Sequence, residues 1–331
     1  AERDHDPSPP VLLAEPLELR ATPPEVRSLD DLAGFLRDPV ATFFQRRLQV
    51  RLPELTDAPS DDLPVQLDNL AKWRIGDAVM KADHDGVPFD DVRASLRAGG
   101  SLPPGVLGDA TFATAEAAVA AFRIAADDLG VGTVATEHLD VDALLVDGSV
   151  LRATIAIDSG DRGEPGPLIV RFSRPKPHHV LLLATQLFVL TVSRPDESWR
   201  GVSIHRSEKG NSTLVHELRV RGASASERSE VAAGALVELV ELWDLGSDVP
   251  LPIFDVTTCE LAHRGWAKAA TPWDGGNWPE GAKPAIRMAF GARTIDELRS
   301  LRVVGRDPQQ WARRLWSAVS DAVEDSGESL W

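Results

Sequence analysis

The segment from Leu168 to Leu190, LIVRFSRPKPHHVLLLATQLFVL, constrains the fold more than any other part of the chain. It begins with a short apolar run rich in β-branched residues, which is typical of a buried strand. A basic turn follows, in which Pro175 and Pro177 interrupt regular backbone hydrogen bonding. The segment then continues as a strongly apolar helix. A buried strand followed directly by a buried helix predicts an α/β fold around a central sheet.

Periodicity divides the chain into three parts. Residues 1–27 are rich in Pro, Asp and Glu and lack a helical period, which predicts a linker or an extended lead-in. Residues 28–130 follow a helical period and are expected to form an N-terminal helical region. Residues 131–331 form the remaining core, and 28–331 are expected to fold as one structural unit. A central mixed sheet is expected from about 138 to 220, with the helix 178–193 packed on it. The predicted strands are 141–146, 150–157, 168–172, 202–205 and 214–220.

The C-terminal part is predicted to be helical, with an irregular interruption. A long helix is expected over 223–245 and a closing helix over 309–323. Between them, Trp266, Trp273 and Trp278 lie in a stretch with Gly and Pro that we expect to be a loop. These side chains could stack on nucleic-acid bases, but packing or contact with a partner protein is favoured.

Composition narrows the classes of function. The chain has 331 residues, of which 43% are hydrophobic, and can bury a sizeable core. A net charge of -16 argues against wrapping nucleic acid by charge alone, so DNA contacts would need local basic patches or partner subunits. The lone cysteine, Cys259, excludes an internal disulfide and fits a reducing cytoplasm. The longest apolar run, 180–192, is too short to span a membrane.

Five stretches of the chain carry a family resemblance. They read SLDDLAGFLRDPVATFFQRRLQVRLPE (28–54), DLPVQLDNLAKWRIGDAVM (62–80), GSLPPGVLGD (100–109), ALVELVELWDLGSDVPLPIF (235–254) and PAIRMAFG (284–291). In this order they resemble the C-terminal domain of RecC, the gamma subunit of exodeoxyribonuclease V. The resemblance implies a degenerate PD-(D/E)xK nuclease fold of the RecB type, with a central mixed sheet flanked by helices.

The resemblance also implies a function. In the family, this domain belongs to the RecBCD helicase–nuclease, which opens broken DNA ends, threads the strands through channels and prepares them for recombination. The implied role is non-catalytic: support of DNA end binding, strand separation and guidance, and subunit assembly in double-strand break repair. The implied partners are RecB- and RecD-type subunits, double-stranded DNA ends and separated strands, in the cytoplasm and without a membrane.

Active nucleases of the implied fold need an Asp on one strand and a D/E-x-K on the next, which hold Mg²⁺ and an attacking water. In this chain those positions fall near Ala156, at Val170 and at Phe172. Such side chains cannot ligate a hard cation, so we expect no catalysis and no bound metal. No D/E-x-K occurs between 131 and 220. Asp38 stands where AddB-type subunits carry a cysteine of an iron–sulfur cluster, so we expect no such cofactor.

The densest basic cluster lies in the turn of the 168–190 segment. Its candidate DNA contacts are Arg171, Arg174, Lys176, His178 and His179, because cationic side chains bind phosphates through charge and hydrogen bonds. The alternative is a solvated turn bounded by prolines.

Two hydrophilic loops, 158–167 and 207–212, are candidates for the strand-splitting pin that the family carries. Neither presents the apolar or aromatic tip that usually unstacks a base pair. Two other functions stay open: a protein-interaction scaffold without DNA contact, and an active Mg²⁺-dependent exonuclease whose ligands lie outside the aligned positions. The carboxylates that keep the second alternative open are Asp140, Asp142, Asp147, Asp158 and Glu164.

Overall fold

The computed structural model describes Leu12 and residues 25–52, 67–159, 163–207, 212–276 and 278–326. Within these residues, a seven-stranded mixed sheet lies between two layers of helices. The strands are β1 (Val26–Ser28), β2 (Glu137–Leu144), β3 (Val150–Asp158), β4 (Gly166–Arg171), β5 (Gly201–Arg206), β6 (Thr213–Val220) and β7 (Val323–Asp325).

The helices follow the predicted order, with shorter segments near the C-terminus. They are α1 (Leu29–Arg37), α2 (Pro39–Arg46), α3 (Asn69–Asp85), α4 (Phe89–Ala98), α5 (Val106–Leu129), α6 (Pro177–Ser193), α7 (Ala225–Asp248), α8 (Asp255–His263), α9 (Trp266–Asp274), α10 (Pro284–Phe290), α11 (Ile295–Arg299) and α12 (Pro308–Ser320), with a 3₁₀ turn at Glu280–Ala282. None of the helices in the described residues combines the length and the apolar character that crossing a membrane requires.

The sheet has the order β1-β3-β4-β5-β6-β7, and β2 pairs with β3. The β1–β3 and β4–β5 pairs are parallel and the other pairs are antiparallel. The predicted mixed sheet flanked by helices is therefore confirmed, and it extends beyond the range 138–220. β1 and β7 come from distant parts of the chain and pair with β3 and β6, respectively.

Each face of the sheet is covered by its own apolar layer. Helices α1, α2, α6, α7 and α12 pack with alternate β3 residues such as Leu151 and Ile155 on one face. Helices α3 and α5 pack on the other face against Leu168 and Ile204 of β4 and β5. The region predicted as N-terminal helices thus divides between the two faces. Asp38 accepts a hydrogen bond from the N–H of Ala41 at 3.0 Å, and this N-cap starts α2.

The 168–190 segment folds as its sequence predicts. Its apolar strand is β4, and its helix is α6, whose side chains are buried around most of its circumference. The parallel neighbour of β4 is β5, in the register Leu168↔Val202 and Arg171↔His205. Because both strands run in the same direction, their carboxyl ends meet at one edge of the sheet. The basic turn between β4 and α6 starts at that edge.

Arg27 joins β1 to the rest of the core, although composition placed it in the lead-in. It is 3% exposed and donates to both carboxylate oxygens of Asp244 on α7, at 2.5 and 3.0 Å. It also donates to Ser149 Oγ at 3.2 Å and Asp147 Oδ2 at 3.3 Å in the β2–β3 turn. This guanidinium therefore connects three distant segments of the chain.

The prediction of a tryptophan-rich loop is wrong, since Trp266–Asp274 forms α9. Trp273 is buried and its indole N–H donates to the carbonyl of Arg293 at 2.9 Å, whereas Trp278 is 70% exposed. Helix packing against α8 overrides the local turn signals of Gly and Pro in this stretch. The three tryptophans therefore do not form one continuous surface.

Candidate functional site

The basic turn presents three cationic side chains to solvent. Arg171 ends β4, Arg174 and Lys176 follow in the turn, and all three residues are exposed. The turn is held to β5 by a hydrogen bond from the N–H of Arg206 to the carbonyl of Ser173, at 3.0 Å. Exposed guanidinium and ammonium groups on a fixed turn are suited to bind phosphate oxygens.

Arg206 belongs to the same basic edge and was missed in the sequence. Arg206 ends β5, and its guanidinium carbon lies 5.4 Å from the ring centre of Phe172. Phe172 is the residue after Arg171, which ends the neighbouring strand β4. The sequence signal was the end of the predicted strand 202–205. That signal could not place Arg206 beside the turn, because only the parallel β4–β5 pairing brings the two strand ends together.

The two histidines of the cluster face inward. His178 Nδ1 lies 2.9 Å from Asp255 Oδ2 on α8, and its backbone N–H donates to Asp255 Oδ1 at 3.1 Å. His179 is 8% exposed, and its Nδ1 accepts a hydrogen bond from the N–H of Lys176 at 3.2 Å. The His179 ring stacks on His205 with centroids 4.8 Å apart and planes 6° from parallel. These contacts hold the turn against α8 and β5.

Burial lowers the pKa of His179 to about 2 and that of His205 to about 3, with nearby positive groups, Arg171 among them, acting in the same direction. A ring removed from water loses the hydration that stabilises its charged form. Both rings are therefore neutral at physiological pH and add no charge to the turn. The positive charge at this edge belongs to the arginine and lysine side chains.

The sheet positions aligned with the nuclease motif are apolar and, in part, tightly packed. Phe172 is 3% exposed and stacks on Phe122 of α5, with centroids 6.0 Å apart and planes at 25°. A Cβ on Gly76 of α3 would lie 1.8 Å from Phe172 Cε1, so this ring rests directly on the α3 backbone. Val170 packs against the same layer, and Ala156 is half-buried on β3. Helices α3 and α5 thus cover Val170 and Phe172, two of the three positions aligned with the motif.

The carboxylates that could support an active nuclease are held separately. Asp142 pairs with Arg152 at 2.9 Å, and Asp140 accepts from Thr154 Oγ1 at 2.6 Å. Asp158 accepts from the N–H of Gly132 at 3.0 Å. Asp147 pairs with Arg27, and Glu164 pairs with Arg219. In the part of the chain that the structure describes, no three His, Cys, Asp or Glu side chains come together as a group that could hold a metal.

The two candidate pin loops can be followed only at their ends. Residues 160–162 of the first loop and 208–211 of the second lie outside the described residues. At the base of the second loop, the N–H of Ser207 donates to the carbonyl of Ser212 at 2.9 Å, which closes the β5–β6 hairpin. The assignment of a pin stays a prediction.

Comparisons with known proteins agree on one family. The model of the RecC C-terminal domain matches residues 24–266. RecBCD enzyme subunit RecC of Mycobacterium tuberculosis (strain CDC 1551 / Oshkosh) is 34% identical over 250 residues, which cover 74% of this chain and 21% of the relative. The protein of the same name from Mycolicibacterium smegmatis (strain ATCC 700084 / mc(2)155) is 30% identical over 325 residues, covering 98% of this chain. The chain spans only 27% of that second relative.

Proposed function

The chain belongs to the family of RecC C-terminal domains, and we propose that it acts as a non-catalytic part of a RecBCD-type helicase–nuclease. Its proposed partners are RecB- and RecD-type subunits and the separated strands of a DNA end. The support is the family match over residues 24–266, together with relatives whose names describe a subunit of the RecBCD enzyme. The family resemblance read from the sequence is confirmed, whereas each specific role below is a proposal.

The proposed fold is a PD-(D/E)xK nuclease fold that has lost its catalytic residues. The observation that carries this proposal is Phe172, which fills the lysine position and packs on Phe122 and Gly76. An aromatic ring in that position stabilises the interface between the sheet and α3–α5, but it can neither bind Mg²⁺ nor activate a water. The sheet is retained for its shape, and the proposed contribution to the complex is structural.

We propose that residues 28–331 act as one structural unit, to which Val26 and Arg27 of β1 also belong. The first helices, α1 and α2, share a buried apolar cluster with α7 and α12 near the other end of the chain. The second layer, α3 and α5, packs on β4 and β5 in the centre of the same sheet. Separating the helical region at 130 would expose apolar surface on both parts, which is unfavourable in water.

Within this unit, Arg171, Arg174 and Lys176 are the proposed contacts to a DNA strand. All three are exposed and lie on one short turn, which Ser173 fixes to β5 through the N–H of Arg206. His178 and His179 position the turn from beneath and are not part of the proposed phosphate contacts. Because the whole chain carries a net charge of -16, we expect DNA contact to stay local to this edge.

The test is the triple variant Arg171→Ala, Arg174→Ala and Lys176→Ala in the complex assembled with RecB- and RecD-type subunits. We expect slower unwinding and weaker strand binding with the subunits still associated. Each lost phosphate contact should reduce the slope of log affinity against log salt by roughly 0.7 to 0.9. Unwinding at the normal rate with an unchanged salt slope would show that the turn does not contact DNA, and the scaffold reading would replace this proposal.

A matched control removes the same charge elsewhere. Arg37, Lys268 and Arg313 are exposed residues of α1, α9 and α12 and do not belong to the turn. Their replacement with Ala changes the net charge by the same amount as the first triple variant does. Because none of the three is a proposed phosphate contact, the slope of log affinity against log salt should stay unchanged. An equal loss of slope in both triple variants would mean that overall charge, and not the turn, governs DNA affinity.

A further inference from the structure

The sheet ends at a long edge strand, β2, whose outer side has no partner among the described residues. β2 has eight residues and pairs with β3 over its whole length, from Glu137↔Ile157 to Leu144↔Val150. The opposite edge strand, β7, has three residues. Natural sheets usually protect their edges with short strands, prolines, lysines or bulges, because unpaired backbone groups can bind another strand. β7 is short in this way, whereas β2 is long and contains neither proline nor lysine; its charged residues are carboxylates, which disfavour pairing with an acidic strand but not with a basic one.

The direction of the free backbone groups follows from the hairpin. The N–H of Leu145 donates to the carbonyl of Ser149 at 2.8 Å, which makes this a hydrogen-bonded pair. In an antiparallel ladder such pairs alternate with non-bonded ones, so the inward-bonding residues continue in steps of two along β2. The residues between them direct their N–H and C=O groups away from β3. The residues with outward backbone groups are His138, Asp140, Asp142 and Leu144.

The side chains along this edge define what could pair with it. Leu144 is 68% exposed and Val146, in the hairpin turn, is 82% exposed. At the other end, the carboxylates of Glu137 and Asp140 have no cationic partner among the described residues. Asp142, between these two ends, is already neutralised by Arg152. The edge is therefore anionic at one end and apolar at the other.

We propose that β2 is a docking edge for an extended segment of a partner subunit that adds to the sheet as a further strand. Charge complementarity requires basic residues in that segment beside Glu137 and Asp140, and apolar residues beside Leu144 and Val146. Main-chain hydrogen bonds to the outward groups supply binding, and the polar-to-apolar gradient fixes the direction of the segment. The inference rests on the proposed membership in a multi-subunit complex and does not depend on DNA contact by the basic turn.

Hydrogen exchange on the unaltered complex is the first test. In the 331-residue chain alone, the amides of Asp140 and Asp142 should exchange much faster than those of Val141 and Ala143, which bond to β3. On assembly with the partner subunits, exchange at Asp140 and Asp142 should slow at least tenfold, while Val141 and Ala143 change little. A complex that assembles without any slowing at Asp140 and Asp142 overturns the docking edge and leaves the proposed function intact. Failure of the unaltered chain to assemble would instead contradict the proposed function.

Substitutions separate backbone pairing from charge. Asp140→Pro removes an outward N–H that β3 does not use, and proline is tolerated at such edge positions. Asp140→Ala is its matched control, since it removes the carboxylate and keeps the N–H. We expect at least a tenfold loss of affinity for the partner subunits with Asp140→Pro and a smaller loss with Asp140→Ala. Equal affinities of both variants and the unaltered chain would overturn the proposal. Slowed exchange in the isolated chain that rises with its concentration would overturn it in favour of pairing between two copies.

Discussion

Acidification from about pH 7.5 to about pH 5.5 should destabilise the chain through His179 and His205. Burial holds the pKa of these rings at about 2 and about 3, below the ordinary value of 6.5. Between those limits the unfolded chain binds protons that the folded chain excludes. The free energy of unfolding therefore rises with pH in this window. The stability that the two neutral rings contribute is fully present above pH 6.5 and decreases as the pH falls below that value.

The magnitude follows from proton linkage. At about pH 5.5 an unfolded histidine lies about one unit below its pKa, so protonation stabilises the unfolded state by roughly 1.4 kcal/mol for each ring. The two rings together should lower the free energy of unfolding by about 3 kcal/mol, which is a large share of the stability of a typical domain. Burial also lowers the pKa of His263, which acts in the same direction.

The measurement is urea unfolding at both pH values, followed by the fluorescence of the nine tryptophans. His205→Gln should remove about half of the pH-dependent loss that the two rings contribute, and adding His179→Gln should remove most of the remainder. His138→Gln is the matched control, because His138 is exposed on β2 in the folded chain. Equal free energies of unfolding at both pH values in the unaltered chain would contradict this prediction. Full pH dependence in the double variant would contradict it as well.

Three further outcomes test the core and the proposed loss of a nuclease site. Phe172→Ala should lower the free energy of unfolding by about 3 to 5 kcal/mol in urea, because it leaves a cavity against Phe122, whereas Phe172→Leu should cost less than half as much. Adding Mg²⁺ or Mn²⁺ at millimolar concentration should leave the melting temperature unchanged, and a rise that saturates with metal would contradict the loss of the site. Arg27→Ala should lower the free energy of unfolding by about 3 kcal/mol in the same urea assay. This is the low end of the range for breaking a buried ion pair, because the Asp244 carboxylate is partly exposed to water. Arg27→Lys should retain part of this stability, and an Arg27→Ala variant as stable as the unaltered chain would contradict the anchoring role.

The sequence by itself determined the features that depend on neighbouring residues. The strand, turn and helix from Leu168 to Leu190 follow from local periodicity and from Pro175 and Pro177, and the structure has them within a few residues. The absence of a D/E-x-K motif between 131 and 220 is likewise a property of the sequence alone. The family resemblance needed no coordinates either, because it rests on stretches of residues in a fixed order.

Only the tertiary structure decided which distant segments meet. Three contacts join residues that are far apart in the chain. β1 pairs in parallel with β3, the ring of His179 stacks on that of His205, and Phe172 packs on Gly76. Local periodicity carries no information on such partners, since each strand or helix exposes the same pattern whatever covers it. The helix at Trp266–Asp274 shows the same limit, because contacts with α8 outweigh weak local turn signals. His178 bonds to α8 and His179 stacks on β5, so the sequence could identify a basic cluster but not which of its members reach solvent.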